Sequence, residues 1–353
     1  MTWLRLVLVS ALLAFCGGWV GAQRELSANY LMAGLAPGIG ARAAAMGDAH
    51  IAVATDATAF YWNPAGLAAG GDTQWHALSA RFDGHHVDLG QVRDMLDIAR
   101  AHEGMGMAHW NLLREVVDGR VEAGGAAFSA YRNASWAVGA FSQGWATMDV
   151  VGLEPHRVFV LGYGMDATNV GVAHGGSLSE ELDWGLQVGW LKAGQARTKG
   201  IVWRHRDEVR TTVAHRSNHT TNWSVSGGVR YQASENVHWG LVLRNVNAPR
   251  LEFTLGNIFG YDPSVHLGFA AYNPEEQVLF ALDVHNVFQA NDMEPKLCVG
   301  LEKRVGARTL LRFGGTRSRL TCGVGLEAGN WQIDLASGSN PESQLALSGV
   351  VGF

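Results

Sequence analysis

Three short segments with serine, histidine or glycine resemble motifs of catalytic, metal-binding and dinucleotide-binding sites. The run Ala-Phe-Ser-Gln-Gly at 140–144 imitates a nucleophile elbow, but it lacks the first glycine and continues a strand pattern. His205, His215 and His219 do not have the tight spacing of metal ligands with a third acid, so a solvated basic loop is expected there. The glycines at 38–40 lack the third glycine of a dinucleotide loop. The sequence therefore predicts a protein that is not an enzyme and has no cofactor or metal.

The composition narrows the class of protein further. The chain has 353 residues and a net charge of −5, so no nucleic-acid partner is expected. Three cysteines cannot build a disulfide framework, and Cys298 and Cys322 are expected to be free thiols on opposite faces of non-neighbouring strands. Glycine is unusually frequent, with 45 residues, and there are 13 tryptophans.

The amino-terminal 22 residues predict export. Arg5 precedes an apolar run at 6–15, and small residues lead to Ala22, which is the pattern of a cleaved signal peptide at 1–22. The alternative, a retained anchor helix, would need a longer apolar run.

Alternating apolar and polar residues dominate the second half of the chain. In 182–191, the apolar face carries Leu182, Trp184, Leu186, Val188 and Trp190, and the other face carries Asp183, Gly185, Gln187 and Gly189. Four further stretches follow the same period of two: 222–231, 278–285, 297–304 and 320–328. This pattern indicates β-strands. By itself it fits a soluble sandwich and a membrane barrel equally well.

Three features favour the transmembrane antiparallel β-barrel. Tryptophan and tyrosine lie near strand ends, as in aromatic girdles. The opposite faces are rich in glycine, which leaves room inside, and the chain ends on the aromatic Phe353, which resembles the recognition signal of outer-membrane barrels. The candidate lumen-facing residues are Asp283, His285, Glu302 and Arg304. The fold class is therefore all-β, with an apolar outer face in contact with outer-membrane lipid.

The strand count gives an independent check. About 14 strands are expected near 73–83, 119–131, 135–148, 157–165, 182–192, 220–232, 236–247, 263–273, 276–289, 294–304, 307–315, 319–329, 330–337 and 343–353. An even count places tight turns at Asn133, Ser234, Asn273, Ala307 and Gly329 on the periplasmic side. It places the long connections 193–219 and 248–262 outside, but 166–181 falls on the wrong side. The barrel domain is assigned to 73–353, with a helical loop insert at 88–117 that shows helical spacing after Asp88.

Small residues fill a motif at 40–68, within an amino-terminal hatch or plug assigned to 23–72. Small side chains would allow it to pack against inward glycines such as Gly185, Gly228, Gly300 and Gly323. A turn ends the motif because asparagine before proline favours a turn. The motif residues are Arg42, Gly47, Asp48, Asp56, Tyr61, Trp62, Asn63, Pro64 and Gly66.

This motif resembles the start of the long-chain fatty-acid transporter (FadL) superfamily, in which Gly-x-Ala precedes a variable stretch and then Asn-Pro-Ala. The form at 61–67 is especially similar to the PorV branch and to outer-membrane proteins labelled conjugal transfer protein TraF. Position 48, here aspartate, is more commonly glycine. Further matches to the TraF-labelled family are the insert at 88–117 and the segments 239–245, 281–284, 299–302 and 311–315.

The resemblance implies a 14-stranded barrel with a hatch, in the bacterial outer membrane. Its members move hydrophobic small molecules or serve protein export. Two functions are therefore expected: passage of hydrophobic small molecules across the outer membrane, or a structural and docking role in an envelope secretion or conjugation assembly. The bulky insert favours the second function. The barrel-assembly machinery is an expected partner in either case.

Overall fold

The computed structural model describes residues 38–71, 73–85, 110–111, 119–154, 156–205, 208–253, 257–339 and 342–353. The expected signal peptide, the first part of the expected hatch and most of the insert at 88–117 lie outside these residues. No helix in the described part of the chain is long and apolar enough to cross a membrane.

Fourteen antiparallel strands form a closed barrel, in which the first strand pairs with both the second and the last. The first strands are β1 (Gln74–His85), β2 (Gly119–Asn133), β3 (Trp136–Glu154), β4 (Arg157–Ser177), β5 (Leu182–His205), β6 (Glu208–Ser234) and β7 (Val237–Arg244). The later strands are β10 (Ser264–Asn273), β11 (Val278–His285), β12 (Lys296–Val305), β13 (Thr309–Thr316), β14 (Leu320–Ala328), β15 (Trp331–Ser339) and β16 (Glu342–Gly352). The short strands β8 (Arg250–Phe253) and β9 (Asn257–Gly260) form a separate pair. The predicted all-β barrel of about 14 strands is confirmed.

Two of the expected connections are wrong. The segment 193–219 is not a loop, because β5 and β6 continue through it as paired strands of 24 and 27 residues. The segment 166–181 is not a long connection, because β4 continues to Ser177. The first error arose where the outward residues become polar and the apolar alternation stops.

The two ends of the barrel differ. The end that holds Phe353 also holds the turns after β2, β4, β6, β10, β12 and β14, and it is called the turn end here. All five predicted tight turns lie at this end. The opposite end, called the loop end, holds the longer connections 245–263 and 286–295, the first of which contains β8 and β9.

Aromatic residues mark two levels on the outer surface. At the turn end the exposed aromatic residues are Trp75, Tyr131, Trp136, Tyr231, Trp239, Tyr272, Trp331 and Phe353. A second level is formed by exposed Trp190 and Trp223, which are partners across β5 and β6. On β6, Tyr231 and Trp223 are separated by about 26 Å at ~3.3 Å per residue. A strand tilt of about 40° reduces this to about 20 Å along the barrel axis, close to the apolar band of membrane barrels.

The interior holds residues 38–71, called the inner segment here. It contains α1 (Ala41–Ala45), α2 (Ala59–Trp62) and a 3-10 helix at Pro64–Ala69. The alanines of α1 pack against Ala336 and Ala346 of the barrel. Small side chains on both surfaces allow this close approach. The expected contacts of the inward glycines are confirmed, because Gly185 contacts Pro64, Gly228 contacts Asn63, Gly300 contacts Met46, and Gly323 contacts Ala45.

Candidate functional site

The backbone of the inner segment turns sharply between α1 and the residues that follow it. Gly47 has φ 64° and Asp48 has φ 72°. This left-handed conformation favours glycine, and aspartate is among the few other residues that adopt it readily. The chain therefore keeps the turn at position 48 and gains a carboxylate there.

The Asp48 carboxylate lies in a buried cluster of charges. Arg81 of β1 forms an ion pair with it, Lys296 Nζ lies 3.0 Å from Asp48 Oδ2, and Arg319 Nη2 lies 3.4 Å from the same oxygen. Asp83 accepts from both arginines, at 3.0 Å from Arg81 and 3.2 Å from Arg319. Burial alone would raise the pKa of Asp48, but the charges of Arg81 and Lys296 outweigh it and hold that pKa well below its usual range. This cluster joins the inner segment to three parts of the barrel.

A second ionic cluster fixes α1. Arg42 donates two hydrogen bonds to the Glu302 carboxylate of β12, from Nε at 2.9 Å and from Nη2 at 2.7 Å. Glu302 also accepts from Arg312 Nε at 2.6 Å, and Arg312 Nη1 donates to Asp334 at 2.6 Å. Bidentate arginine–carboxylate pairs are geometrically specific. The cluster therefore fixes where α1 sits against β12, β13 and β15.

Between these clusters, Asp283 of β11 holds the backbone of the inner segment. Its Oδ2 accepts from the backbone N–H groups of His50, at 2.6 Å, and Ile51, at 2.8 Å. His285 Nε2 lies 3.1 Å from the backbone oxygen of Asp48. Burial lowers the pKa of His50 to about 3, so that ring is neutral.

Residues 61–66, near the end of the inner segment, form hydrogen bonds that hold this segment in place. Trp62 Nε1 donates to Ile39 O at 3.1 Å. Asn63 caps the 3-10 helix by accepting from Ala65 N at 3.1 Å, and its amide donates to Ile51 O and Val229 O, both at 3.2 Å. A Cβ at Gly66 would collide with the backbone oxygen of Ala54. Asn63 therefore connects the inner segment to itself and to β6.

The remaining motif residues lie nearby. Tyr61 accepts from Gln143 Nε2 at 2.7 Å, and the Arg244 guanidinium lies 4.3 Å from the centre of its ring. Asp56 accepts from Thr58 N at 2.8 Å, which stabilises the turn before α2. Pro64 begins the 3-10 helix.

The structure separates the four lumen-facing candidates into two groups. Asp283, His285 and Glu302 are buried against the inner segment. Arg304 lies on the inward face of β12 but close to the turn end, where it pairs with Glu327 at 2.7 Å. Phe353 is 68% exposed at the turn end. The barrel residues that complete the two ionic clusters were not predicted from the sequence: Arg81, Asp83, Lys296, Arg312, Arg319 and Asp334.

A cleft of about 590 Å³, part of it open to solvent, lies beside the inner segment. Tyr61 and Pro64 contribute one wall, and β3 to β7 contribute the other. Its polar lining residues are Gln143, Asn169, Gln187, Ser224, Ser226, Arg244 and Asn245, and its aromatic ones are Tyr61, Phe141 and Tyr261.

Comparison with known proteins gives similarity in structure only. No family model matches the chain, and no curated protein sequence matches it. The toluene transporter TodX of P. putida superposes with a TM-score of 0.57 at 13% identity, covering 90% of this chain and 99% of that one. A Pseudomonas aeruginosa FadL homologue gives 0.58 at 9% identity, with the same coverage. The Ralstonia pickettii toluene transporter TbuX gives 0.53 at 13% identity, covering 89% of this chain and 97% of that one. The chain therefore has the fold of FadL-type channel barrels.

Proposed function

We propose that this protein is an outer-membrane channel that passes hydrophobic small molecules, with the inner segment acting as its hatch. The observation that carries the proposal is the cleft between Tyr61 and the barrel wall, because it gives a small molecule a place beside the segment that fills the lumen. Structures of the same fold are described as transporters of toluene, which is a molecule of this class.

The outer surface supports the membrane location. Exposed apolar residues such as Leu186, Leu335 and Leu347 lie between or near the aromatic levels, where a soluble protein would carry polar groups. The proposal includes cleavage of the signal peptide at 1–22, insertion by the barrel-assembly machinery, and a hatch that spans 23–72. The turn end then faces the periplasm.

Uptake by cells tests the transport role. Cells with an intact lipopolysaccharide layer should take up labelled toluene faster when they produce the protein than when they carry an empty vector. Ser226→Trp should reduce uptake to the vector level, since Ser226 lines the cleft. Val225→Trp is the matched control, because the neighbouring side chain points to the opposite face of β6. Uptake at the vector level for the wild-type protein would refute the transport role.

Deletion of 23–72 tests the hatch separately. A hatch adds contacts inside the lumen but is not needed to close the strand ladder, so the shortened protein should still form a barrel. In planar bilayers the intact protein should be nearly closed, and the deletion variant should show large, steady openings. A variant that loses its β-sheet signal by circular dichroism would mean that the segment is part of the barrel core.

The extended hairpin of β5 and β6 favours a second candidate function, docking in an envelope secretion or conjugation assembly. Beyond Trp223 the outward residues of β6 are Thr221, His219 and Ser217, so the strands continue outside the apolar band with a polar surface. Spanning the membrane requires only about 9–11 residues per strand. A photo-crosslinker at Thr221 should give a defined high-mass adduct in intact cells if this hairpin docks, and none if transport is the sole role.

A further inference from the structure

The lining of the cleft does not match a pure hydrocarbon. Ligand pockets are mostly apolar, with a small number of polar groups that fix orientation. Here nine of the fourteen lining side chains carry amide, hydroxyl or guanidinium groups. Burial of a hydrocarbon against these groups would remove their water without replacing its hydrogen bonds, which costs free energy.

Three buried polar atoms in the lining have no hydrogen-bond partner among the described residues: Asn169 Oδ1, Gln187 Nε2 and Arg244 Nε. The exposed fractions of these residues are 3%, 6% and 9%. Buried polar groups are normally paired. Three unpaired atoms on β4, β5 and β7 that line one cleft therefore indicate a bound molecule with hydrogen-bonding groups of its own.

Arg244 indicates that the bound molecule carries a negative charge. It is the single charged residue of the lining, and no carboxylate pairs with it within the described part of the chain. Its Nη2 donates to Tyr61 O at 3.3 Å, and its guanidinium lies over the Tyr61 ring. Arginine is suited to bidentate binding of carboxylates, and a buried cation without an anion is costly. The guanidinium, with its Nε unpaired, is therefore prepared for an anionic group.

The rest of the cleft suits a flat ring. Tyr61 and Phe141 meet edge to face with centroids 4.9 Å apart, and Tyr261 adds a third ring to the lining. Aromatic pairs prefer this geometry, and a further ring could extend the set in the same way.

We propose that the cleft binds a single-ring aromatic carboxylate, with the carboxylate on Arg244 and Gln187 and the ring among Tyr61, Phe141 and Tyr261. This inference deepens the proposed function, on which it rests, by naming the class of molecule that occupies the channel. It differs from an unsubstituted hydrocarbon, which offers no acceptor to the unpaired N–H groups of Gln187 and Arg244.

Calorimetric titration of the purified full-length protein tests the inference with three probes: benzoate, toluene and hexanoate. Benzoate and toluene have nearly the same shape but differ in the carboxylate, and hexanoate keeps the carboxylate without the ring. Benzoate should bind at least about tenfold more tightly than either of the others, which corresponds to about 1.4 kcal/mol.

Variants locate the site. Arg244→Gln should weaken benzoate binding by about tenfold or more and leave toluene unchanged, since a charge-assisted hydrogen bond is lost. Arg230→Gln is the control, because Arg230 also faces the barrel interior, on the neighbouring strand β6, but pairs with Asp183 at 3.5 Å and does not line the cleft. If Arg244→Gln does not fold, Gln187→Leu removes a second donor from the same site and should also weaken benzoate alone.

The outcomes distinguish this inference from the proposed function. Equal binding of benzoate by the wild-type protein and Arg244→Gln overturns the inference, and so does tighter binding of toluene. Hexanoate that binds as well as benzoate overturns the aromatic part. Toluene uptake by cells without benzoate binding would leave the transport role intact and reject the carboxylate, whereas benzoate binding that depends on Arg244, without uptake, would retain the site and reject transport.

Discussion

Asp48 and Arg81 form an ion pair inside the barrel, and their side chains are only 4% and 1% exposed. Asp48 belongs to the inner segment and Arg81 to the first barrel strand. The pair exists because the backbone at position 48 adopts a left-handed turn without requiring glycine. Asp48 therefore adopts the turn and also binds the inner segment to the barrel strand that carries Arg81.

Asp48→Asn should loosen the inner segment. The substitution leaves Asp83 as the carboxylate that pairs with Arg81 and Arg319 and removes the Asp48 charge beside Lys296, and loss of one partner of a buried ion pair costs about 3–5 kcal/mol. We expect frequent channel openings in planar bilayers and faster proteolysis of the segment, with the barrel intact. The measurement is single-channel conductance at neutral pH.

Two further variants distinguish the contribution of the ion cluster from that of the backbone turn. Asp292→Asn, at an exposed position of the loop end, should behave as the wild-type protein. Asp48→Gly restores the residue that the backbone prefers but removes the charge. If Asp48→Gly stays closed, the turn and not the ion cluster holds the segment in place.

The barrel could be predicted from the sequence because its apolar outer face and its inner face of small and polar residues alternate with a period of two. In β14, Leu320, Val324 and Leu326 are exposed, while Thr321 and Gly325 are buried, as the alternation requires. The rule ends where the outward residues are no longer apolar. After Leu191 the chain reads Lys-Ala-Gly-Gln-Ala-Arg-Thr-Lys-Gly, and strand pairing continues there without large apolar residues to reveal it.

The ion clusters could not be predicted in the same way. Alternation places Arg312 inward, between Leu311 and Phe313, but it does not say which residue of the inner segment lies at the same depth. That depth depends on the stagger of all fourteen strands and on the irregular path of residues 38–71. The aspartate at position 48, where the FadL superfamily more commonly has glycine, was the one sign in the sequence that a side chain acts at this position.

Leu186→Arg should prevent assembly, whereas Thr221→Arg should not. Both side chains point outward on neighbouring strands, but Leu186 lies between the two aromatic levels and Thr221 lies beyond Trp223. Arginine near mid-membrane costs about 2–4 kcal/mol and little outside it. The amount of folded protein in the outer-membrane fraction measures the difference. Equal losses for the two variants would contradict the placement of the apolar band.

The protein should migrate faster on gels when it is not boiled. A closed barrel pairs its backbone groups within the sheet, so detergent alone leaves it compact, and heating opens it. Membrane-extracted samples, run with and without boiling, should give two positions. One position under both conditions would argue against a closed barrel.

Gly228→Ala should displace the inner segment, while Gly227→Ala should be tolerated. Gly228 faces inward, and a methyl group there would lie 3.1 Å from Asn63 Cγ and 3.3 Å from Pro64 Cδ, in addition to meeting the Asn63 amide oxygen. Gly227 points outward, and its added methyl group would meet only Gly185 O at 3.6 Å, an ordinary contact. Neither glycine has a positive φ, so the backbone accepts alanine at both positions.

Overpacking typically costs about 1–3 kcal/mol, and in Gly228→Ala this cost would weaken the contact between Asn63 and β6. Gly228→Ala should therefore open the channel in planar bilayers, and Gly227→Ala should remain as closed as the wild-type protein. If both variants stay closed, Asn63 adjusts without releasing the segment, and the closed state depends on the ion clusters of Asp48 and Arg42 instead.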